Sequence, residues 1–218
     1  SDLGKVQVET KGVLDRGTYL IEKMVLQRPG EMPVPALLFV PRQRAEKYAA
    51  TLYVDARGKG TDASSGGAIE QLVASGQIVL SIDLRGFGET RDVKQKTAYY
   101  TSDFRSGMWS LHIGQTLLGQ RVEDTLAALK VLAAHPRVDA KAIDVVGIQQ
   151  AGPVVLHAAS LNPGFSAVTL RDSIRSWVDD IVAGPLQTDV IGHVVPHALK
   201  KYDLPDLAER LGEKLTVE

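Results

Sequence analysis

The stretch DVVGIQQAGP, at positions 144–153, places two glutamines between small residues at the end of an apolar run. Gly147 and Ala151 lie two residues before and two residues after Gln149. Small residues at these distances permit a sharp turn from a strand into a helix, which would hold the Gln149 side chain out over a pocket. A glutamine amide donates and accepts hydrogen bonds, but it is a poor nucleophile and a poor carrier of protons.

Gln149 has three interpretations on this basis. In the first, Gln149 has no function and lies in a pocket that is no longer used. In the second, it forms hydrogen bonds to a polar ligand. In the third, an active site is formed by other residues near it. Shifting the frame to Gln150 supplies no nucleophile, and the turn contains no serine, threonine or acidic residue. We therefore predict no catalytic residue, and our predicted ligand-binding residues are Gln149, Gln150, Ala56, Arg57 and Trp109.

The second candidate segment is DARGKG at positions 55–60, which follows a short apolar run. Its glycines permit close approach of a ligand to the backbone, and Arg57 or Lys59 could pair with a carboxylate or a phosphate. The alternative is a turn between strand and helix with exposed charges. In DLRGFGE, Asp83 and Arg85 also follow an apolar run, and we interpret this charged pair as bracing a glycine turn.

Aromatic residues and histidines supply weaker signals. Trp109 belongs to a polar, aromatic stretch over 91–113 that we predict to be irregular, and that could stack on a sugar or anchor a long loop. His193 and His197 have the i,i+4 spacing of some metal ligands, but Pro196 argues against a regular helix between them. We predict no metal and no cofactor.

Composition excludes several classes of function. The 218-residue chain has a net charge of about −1 and no long basic block, so we predict neither a nucleic-acid nor a membrane partner. Without cysteine it has no disulfide, thiolate metal site or cysteine nucleophile. The N-terminal sequence lacks the features of a secretion signal, and we expect any such signal to lie outside this chain. The localisation stays unknown.

Alternating strand-like and helix-like segments predict the elements that position these residues. Two apolar runs, 18–27 and 34–41, flank the turn-rich RPGEMP and favour an antiparallel pair. The remaining alternation favours a mainly parallel sheet with helices on both faces, in one domain over residues 1–218. Ligands bind such sheets beyond the carboxyl ends of the strands, which would gather the loops 55–60, 83–90 and 147–152.

Together with this strand–turn–helix, the stretches LRGFGET, LLGQRVEDTLAALKVLAAHPRVDAKAIDVVG and VVPHALKKYDLPDLAERL resemble the acetyl-xylan-esterase-like and dienelactone-hydrolase-like α/β-hydrolases over residues 15–218. The resemblance implies a three-layer α/β-hydrolase-like fold and a Ser-His-Asp triad that performs acyl transfer. Gln149 stands where that family carries its serine. In the loop that would supply an oxyanion-hole N–H, Asp55-Ala56 or Arg57-Gly58 replaces the usual His-Gly pair. The family's acid and histidine would follow Glu218, so we expect an incomplete C-terminal end.

We expect from this resemblance a catalytically degenerate relative of carbohydrate esterases that binds a carbohydrate or small ester, or that contacts a neighbouring domain. One alternative is an active ester hydrolase that uses a non-standard nucleophile or residues beyond this chain. Another is a self-association module, such as a homodimer formed through an exposed sheet edge. Enzymatic activity stays open, and the resemblance allows a secreted or periplasmic location.

Overall fold

The computed structural model describes residues 3–43, 45–92, 102–184 and 190–218. Within these ranges one eight-stranded sheet has the order β1-β2-β3-β5-β4-β6-β7-β8. The strands are β1 Gln7–Asp15, β2 Tyr19–Gln27, β3 Val34–Pro41, β4 Tyr48–Asp55, β5 Ile78–Ile82, β6 Val138–Ile148, β7 Val168–Arg171 and β8 Leu215–Val217. The α-helices are α1 Ala68–Ala74, α2 Ser102–His112, α3 Leu117–Ala133, α4 Gly152–Leu161 and α5 Leu204–Leu211.

The sheet is antiparallel at its N-terminal side and parallel elsewhere. The pairs β1–β2, β2–β3 and β3–β5 are antiparallel. The pairs β5–β4, β4–β6, β6–β7 and β7–β8 are parallel. This confirms the predicted α/β fold with an antiparallel start. Because β5, β4 and β6 are neighbours, the loops that follow them meet at one edge of the sheet.

Two apolar cores hold the layers together, one on each face of the sheet. The larger core joins the sheet to α3, α4 and α5, and includes Leu118, Val155 and Leu204. The smaller core joins the other face to α1 through Ile69 and Val73. The two cores account for the three layers that the pattern of the sequence predicts.

Two elements differ from the sequence-based prediction. Strand β1 was not predicted, because it is exposed along most of its length and therefore lacks an apolar run. Helix α2 lies in the stretch predicted to be irregular, of which residues 93–101 lie outside the described residues. Its buried residues are Asp103, Gly107 and Ser110, so no apolar stripe marks it as a helix. The ion pair between Asp103 and Arg121 of α3, at 2.7 Å, connects α2 to the core.

In the described part of the chain, no helix combines the length and the apolar character that crossing a bilayer requires.

Candidate functional site

The turn between β6 and α4 holds Gln149 in a strained and exposed position. Ile148 is the last residue of β6, Gln149 has φ 55°, and α4 begins at Gly152. This left-handed backbone costs a non-glycine residue about 1–2 kcal/mol. The strand, the sharp turn and the helix thus present the Gln149 side chain to solvent above the sheet edge.

Packing explains why the turn needs small residues. A Cβ added to Gly147 would lie 2.9 Å from Val155 Cβ and 3.1 Å from Gly152 Cα. A Cβ added to Gly152 would overlap the Ser173 hydroxyl, which follows β7. These glycines let β6, α4 and the loop after β7 approach one another.

We predict that Gly152→Ala destabilises the protein by about 1–3 kcal/mol, as overpacked sites do. Gly152 has φ −56°, which alanine adopts readily, so the loss comes from the clash with Ser173 and not from backbone strain. Urea unfolding measures the change. Adding Ser173→Gly removes the clashing side chain and should restore most of the stability, whereas an unchanged deficit would contradict this explanation.

A second strained residue lies beside Gln149. Asp172 has φ 49° and is exposed at the end of β7. Ile148 pairs with Arg171 at the ends of adjacent parallel strands, and Gln149 and Asp172 directly follow these two residues. Strained non-glycine residues cluster at functional sites. Sequence analysis missed Asp172, although its place directly after a strand was a usable signal.

An ion pair between Arg57 and Asp55 joins the loop after β4 to the end of that strand. Arg57 Nη2 donates to Asp55 Oδ2 at 2.6 Å, and Arg57 Nε donates to Asp55 Oδ1 at 3.0 Å. The backbone N–H of Arg57 donates to Asp55 Oδ1 at 2.8 Å, and that of Ala56 donates to the Ile148 carbonyl at 3.4 Å. Hydrogen bonding to Asp55 raises the pKa of Arg57. Both N–H groups therefore already have acceptors within the protein.

Asp83 connects this loop to the loop after β5. Its carboxylate is buried and accepts from the Lys59 backbone N–H at 2.6 Å, from Lys59 Nζ at 2.8 Å and from the Glu89 N–H at 3.0 Å. A Cβ at Gly88 would overlap this carboxylate, which explains the glycine. Arg85 instead binds Asp124 of α3 through Nε at 2.7 Å. Asp83 and Arg85 fix the shape of this edge of the sheet.

The predicted ligand-binding residues differ in burial and in position. Gln149 is exposed and Gln150 is half-buried at the turn, while Ala56 is buried. Trp109 is 68% exposed on α2. None of the four main cavities among the described residues is lined by Gln149, Gln150 or Trp109, whereas Arg57 lines the largest of them.

The two histidines with metal-like spacing lie in different surroundings. His193 is buried, whereas His197 is exposed and has φ 65°, so no regular helix aligns them. Among the described residues, no group of three or more His, Asp or Glu side chains is arranged to hold a metal ion.

The pattern of the family described as acetyl xylan esterase (AXE1) matches residues 21–172, which is more than half of the chain. The chain belongs to the acetyl xylan esterase family. The match includes the turn at Gln149.

Individual relatives of this chain within and around the acetyl xylan esterase family have low sequence identity to it. A Bacillus subtilis (strain 168) protein described as "Putative hydrolase YtaP" is 23% identical over 173 residues, covering 74% of this chain and 55% of that protein. A crystal structure described as "a putative acetyl xylan esterase" from Bacteroides fragilis NCTC 9343 has a TM-score of 0.81 at 16% identity. It covers 99% of this chain and 63% of that one. The acetyl xylan esterase from Paenibacillus sp. R4 has a TM-score of 0.61 at 19% identity, covering 83% and 58%.

These structural likenesses support the fold. The chain spans between half and two thirds of the length of the relatives just named.

Proposed function

We propose that the turn at Gln149 binds a carbohydrate or small ester ligand without hydrolysing it. The observation that carries this proposal is the Gln149 side chain, which is exposed at the apex of a turn where its backbone is strained. A disused turn has no requirement for a left-handed glutamine, because glycine would relieve the strain. The strain is therefore consistent with a side chain that is held in place for binding.

The chemistry of the neighbouring groups suits an acetylated sugar. The Gln149 amide can donate to an ester carbonyl or accept from a sugar hydroxyl. The Asp172 carboxylate, on the adjacent strand end, can accept from hydroxyls. The relatives described as acetyl xylan esterases suggest acetylated xylan fragments as the ligand class.

The proposal of binding without turnover rests on two further features. Glutamine lacks the nucleophilic oxygen that acyl transfer requires. The backbone N–H groups of Ala56 and Arg57 are bound to Ile148 and Asp55, so they are not available to a developing oxyanion.

We predict that neither the wild-type chain nor Gln149→Ser hydrolyses p-nitrophenyl acetate faster than heat-denatured protein. Serine at this position would still lack free N–H groups at Ala56 and Arg57 to stabilise the transition state. In parallel, titration with acetylated xylo-oligosaccharides should show saturable binding by the wild type, weakened up to about tenfold in Gln149→Ala, as expected for one hydrogen bond. Strong turnover by Gln149→Ser would contradict the proposal, as would equal binding by wild type and Gln149→Ala.

An ester hydrolase is the second candidate function, and one observation favours it. The turn keeps the geometry that exposes a nucleophile in active members of this fold, with φ 55° at its apex. Such an enzyme would need an activated water or a group supplied from outside this chain. Turnover by the wild type that disappears in both Gln149→Ala and Asp172→Asn would favour this candidate.

Self-association through a sheet edge is a third candidate, favoured by the exposure of eight of the nine residues of β1. Two features of β1 oppose this pairing, since lysines and bulges protect edge strands and β1 has both at Lys11. Small-angle scattering separates the possibilities, since a dimer that Val13→Lys disrupts would support pairing through β1.

A further inference from the structure

The largest of the four main cavities among the described residues is a cleft of about 820 Å³ that the loop after β4 lines in part. Its floor includes Val25 of β2 and Pro35 and Leu37 of β3. One wall is formed by residues 57–61 and 88–89, and Lys11 and Lys23 line the cleft from β1 and β2. Gln149 does not line it. Its volume lies within the range of about 300–1,000 Å³ that is usual for small-molecule sites.

A β-bulge places two lysines side by side at this cleft. Thr10 pairs with Met24 and Gly12 pairs with Lys23, which leaves Lys11 as the extra residue between them. Bulges re-aim side chains, and like charges on neighbouring strands repel one another. Both lysines line the cleft, so an anion bound there could interact with two ammonium groups.

The remaining charges of the cleft are already paired. Lys59 Nζ donates to Asp83 at 2.8 Å and to Glu89 at 2.5 Å, so one cation is shared by both carboxylates that line the cleft. Arg57 pairs with Asp55, which lies outside the lining. Lys11 contacts Glu9, but both side chains are more than half exposed, and such pairs are weak. Among the described residues, Lys23 forms no ion pair.

The floor beneath the lysines is apolar. Lys23 pairs with Leu37 and Val25 pairs with Pro35 across the strands, so these four side chains lie on the same face of the sheet. A ligand held at the lysines would therefore rest its body on Val25, Pro35 and Leu37. The glycines at positions 58, 60 and 88 leave the facing wall free of bulk.

We propose that this cleft is a second binding site, and that it takes a ligand with a carboxylate and an apolar face. The carboxylate lies between Lys11 and Lys23, and the apolar face contacts the floor. Two sources share this chemistry: an aromatic or aliphatic acid, and an acidic sugar that presents the C–H face of its ring. The site is independent of the function proposed for Gln149.

Titration by NMR of the ¹⁵N-labelled chain tests the site with benzoate, D-glucuronate and neutral benzamide. We expect saturable shifts at the Gly60 and Thr61 amides with a carboxylate but not with benzamide. Tighter binding of benzoate would identify an apolar acid as the ligand class, and tighter binding of glucuronate an acidic sugar. Equal responses to benzoate and benzamide, or no saturable response to either acid, would overturn the proposal.

Three variants separate this site from general charge effects. Lys23→Gln should weaken carboxylate binding about tenfold, the usual effect of losing one charged hydrogen bond. Glu9→Gln should strengthen binding, because it removes the carboxylate that competes for Lys11. Lys141→Gln is the matched control, an exposed lysine near the amino end of β6 that lines none of the four main cavities, and it should leave binding unchanged. Equal weakening by Lys23→Gln and Lys141→Gln would contradict the assignment.

Gln149→Ala provides the final comparison. It should leave benzoate and glucuronate binding unchanged, whatever it does to acetylated sugars. Loss of carboxylate binding in Gln149→Ala would place the acid at the turn and overturn the second site.

Discussion

Replacing Arg121 by methionine is expected to destabilise the protein by about 3–5 kcal/mol, because it leaves a buried carboxylate without its cation. Arg121 is fully buried, and its Nη2 donates to Asp103 Oδ1 at 2.7 Å. Its Nε donates to the Arg85 carbonyl at 2.8 Å, and its guanidinium lies 4.0 Å from the centroid of the Phe87 ring. Chemical denaturation at neutral pH measures the loss.

The double variant Asp103→Leu/Arg121→Met distinguishes an unpaired charge from lost packing. Removing both charges while keeping the volume should recover most of the stability, because a buried ion pair contributes little beyond an apolar pair of similar size. Asp103 Oδ2 is buried and has no hydrogen-bond partner within the described residues, so its removal relieves a further desolvation cost. A double variant no more stable than Arg121→Met would contradict this account.

Arg42→Met is the matched control. Arg42 pairs with Asp15 at 2.5 Å, but both side chains are at least half exposed. Exposed pairs contribute less than about 1 kcal/mol, so this variant should retain nearly all of its stability. A loss similar to that of Arg121→Met would mean that burial does not determine the difference.

Periodic apolar patterns were sufficient to predict most of the sheet. Strands β4 and β5 are buried nearly throughout, and α3 has a clear apolar stripe. Their buried positions are therefore occupied by apolar residues whose spacing indicates strand or helix. Strand β1 and helix α2 left no such signal. Their positions depend on pairing with β2 and on the ion pair with Arg121, which are contacts between residues distant in the sequence.

The candidate site was predictable only where geometry restricts residue type. Gly147 and Ala151 indicated the sharp turn because larger residues would not fit. By contrast, Asp172 becomes a neighbour of Gln149 only through the pairing of β6 with β7. The lysine pair at the cleft likewise depends on a bulge in an unpredicted strand, which no local pattern indicates.

Acid is expected to destabilise the protein through His193. Burial, together with the charges of Arg121 and His157, lowers the pKa of His193 from 6.5 to about 4. The unfolded chain therefore binds a proton between pH 6.5 and 4 that the folded chain excludes, so stability is complete above pH 6.5 and decreases as the pH falls towards 4. A difference of this size corresponds to about 3 kcal/mol.

The pH dependence of urea unfolding for His193→Leu tests this expectation. Its free energy of unfolding should decrease much less than that of the wild type between pH 6.5 and pH 4.5, a window above the ordinary range of most carboxylates. Burial also lowers the pKa of His157, so a smaller decrease in the same direction should remain. His112→Gln is the control, since His112 is exposed on α2 and should not affect the curve. Parallel curves for the wild type and His193→Leu would contradict the assignment, because the proton excluded by the folded state would then belong to another group.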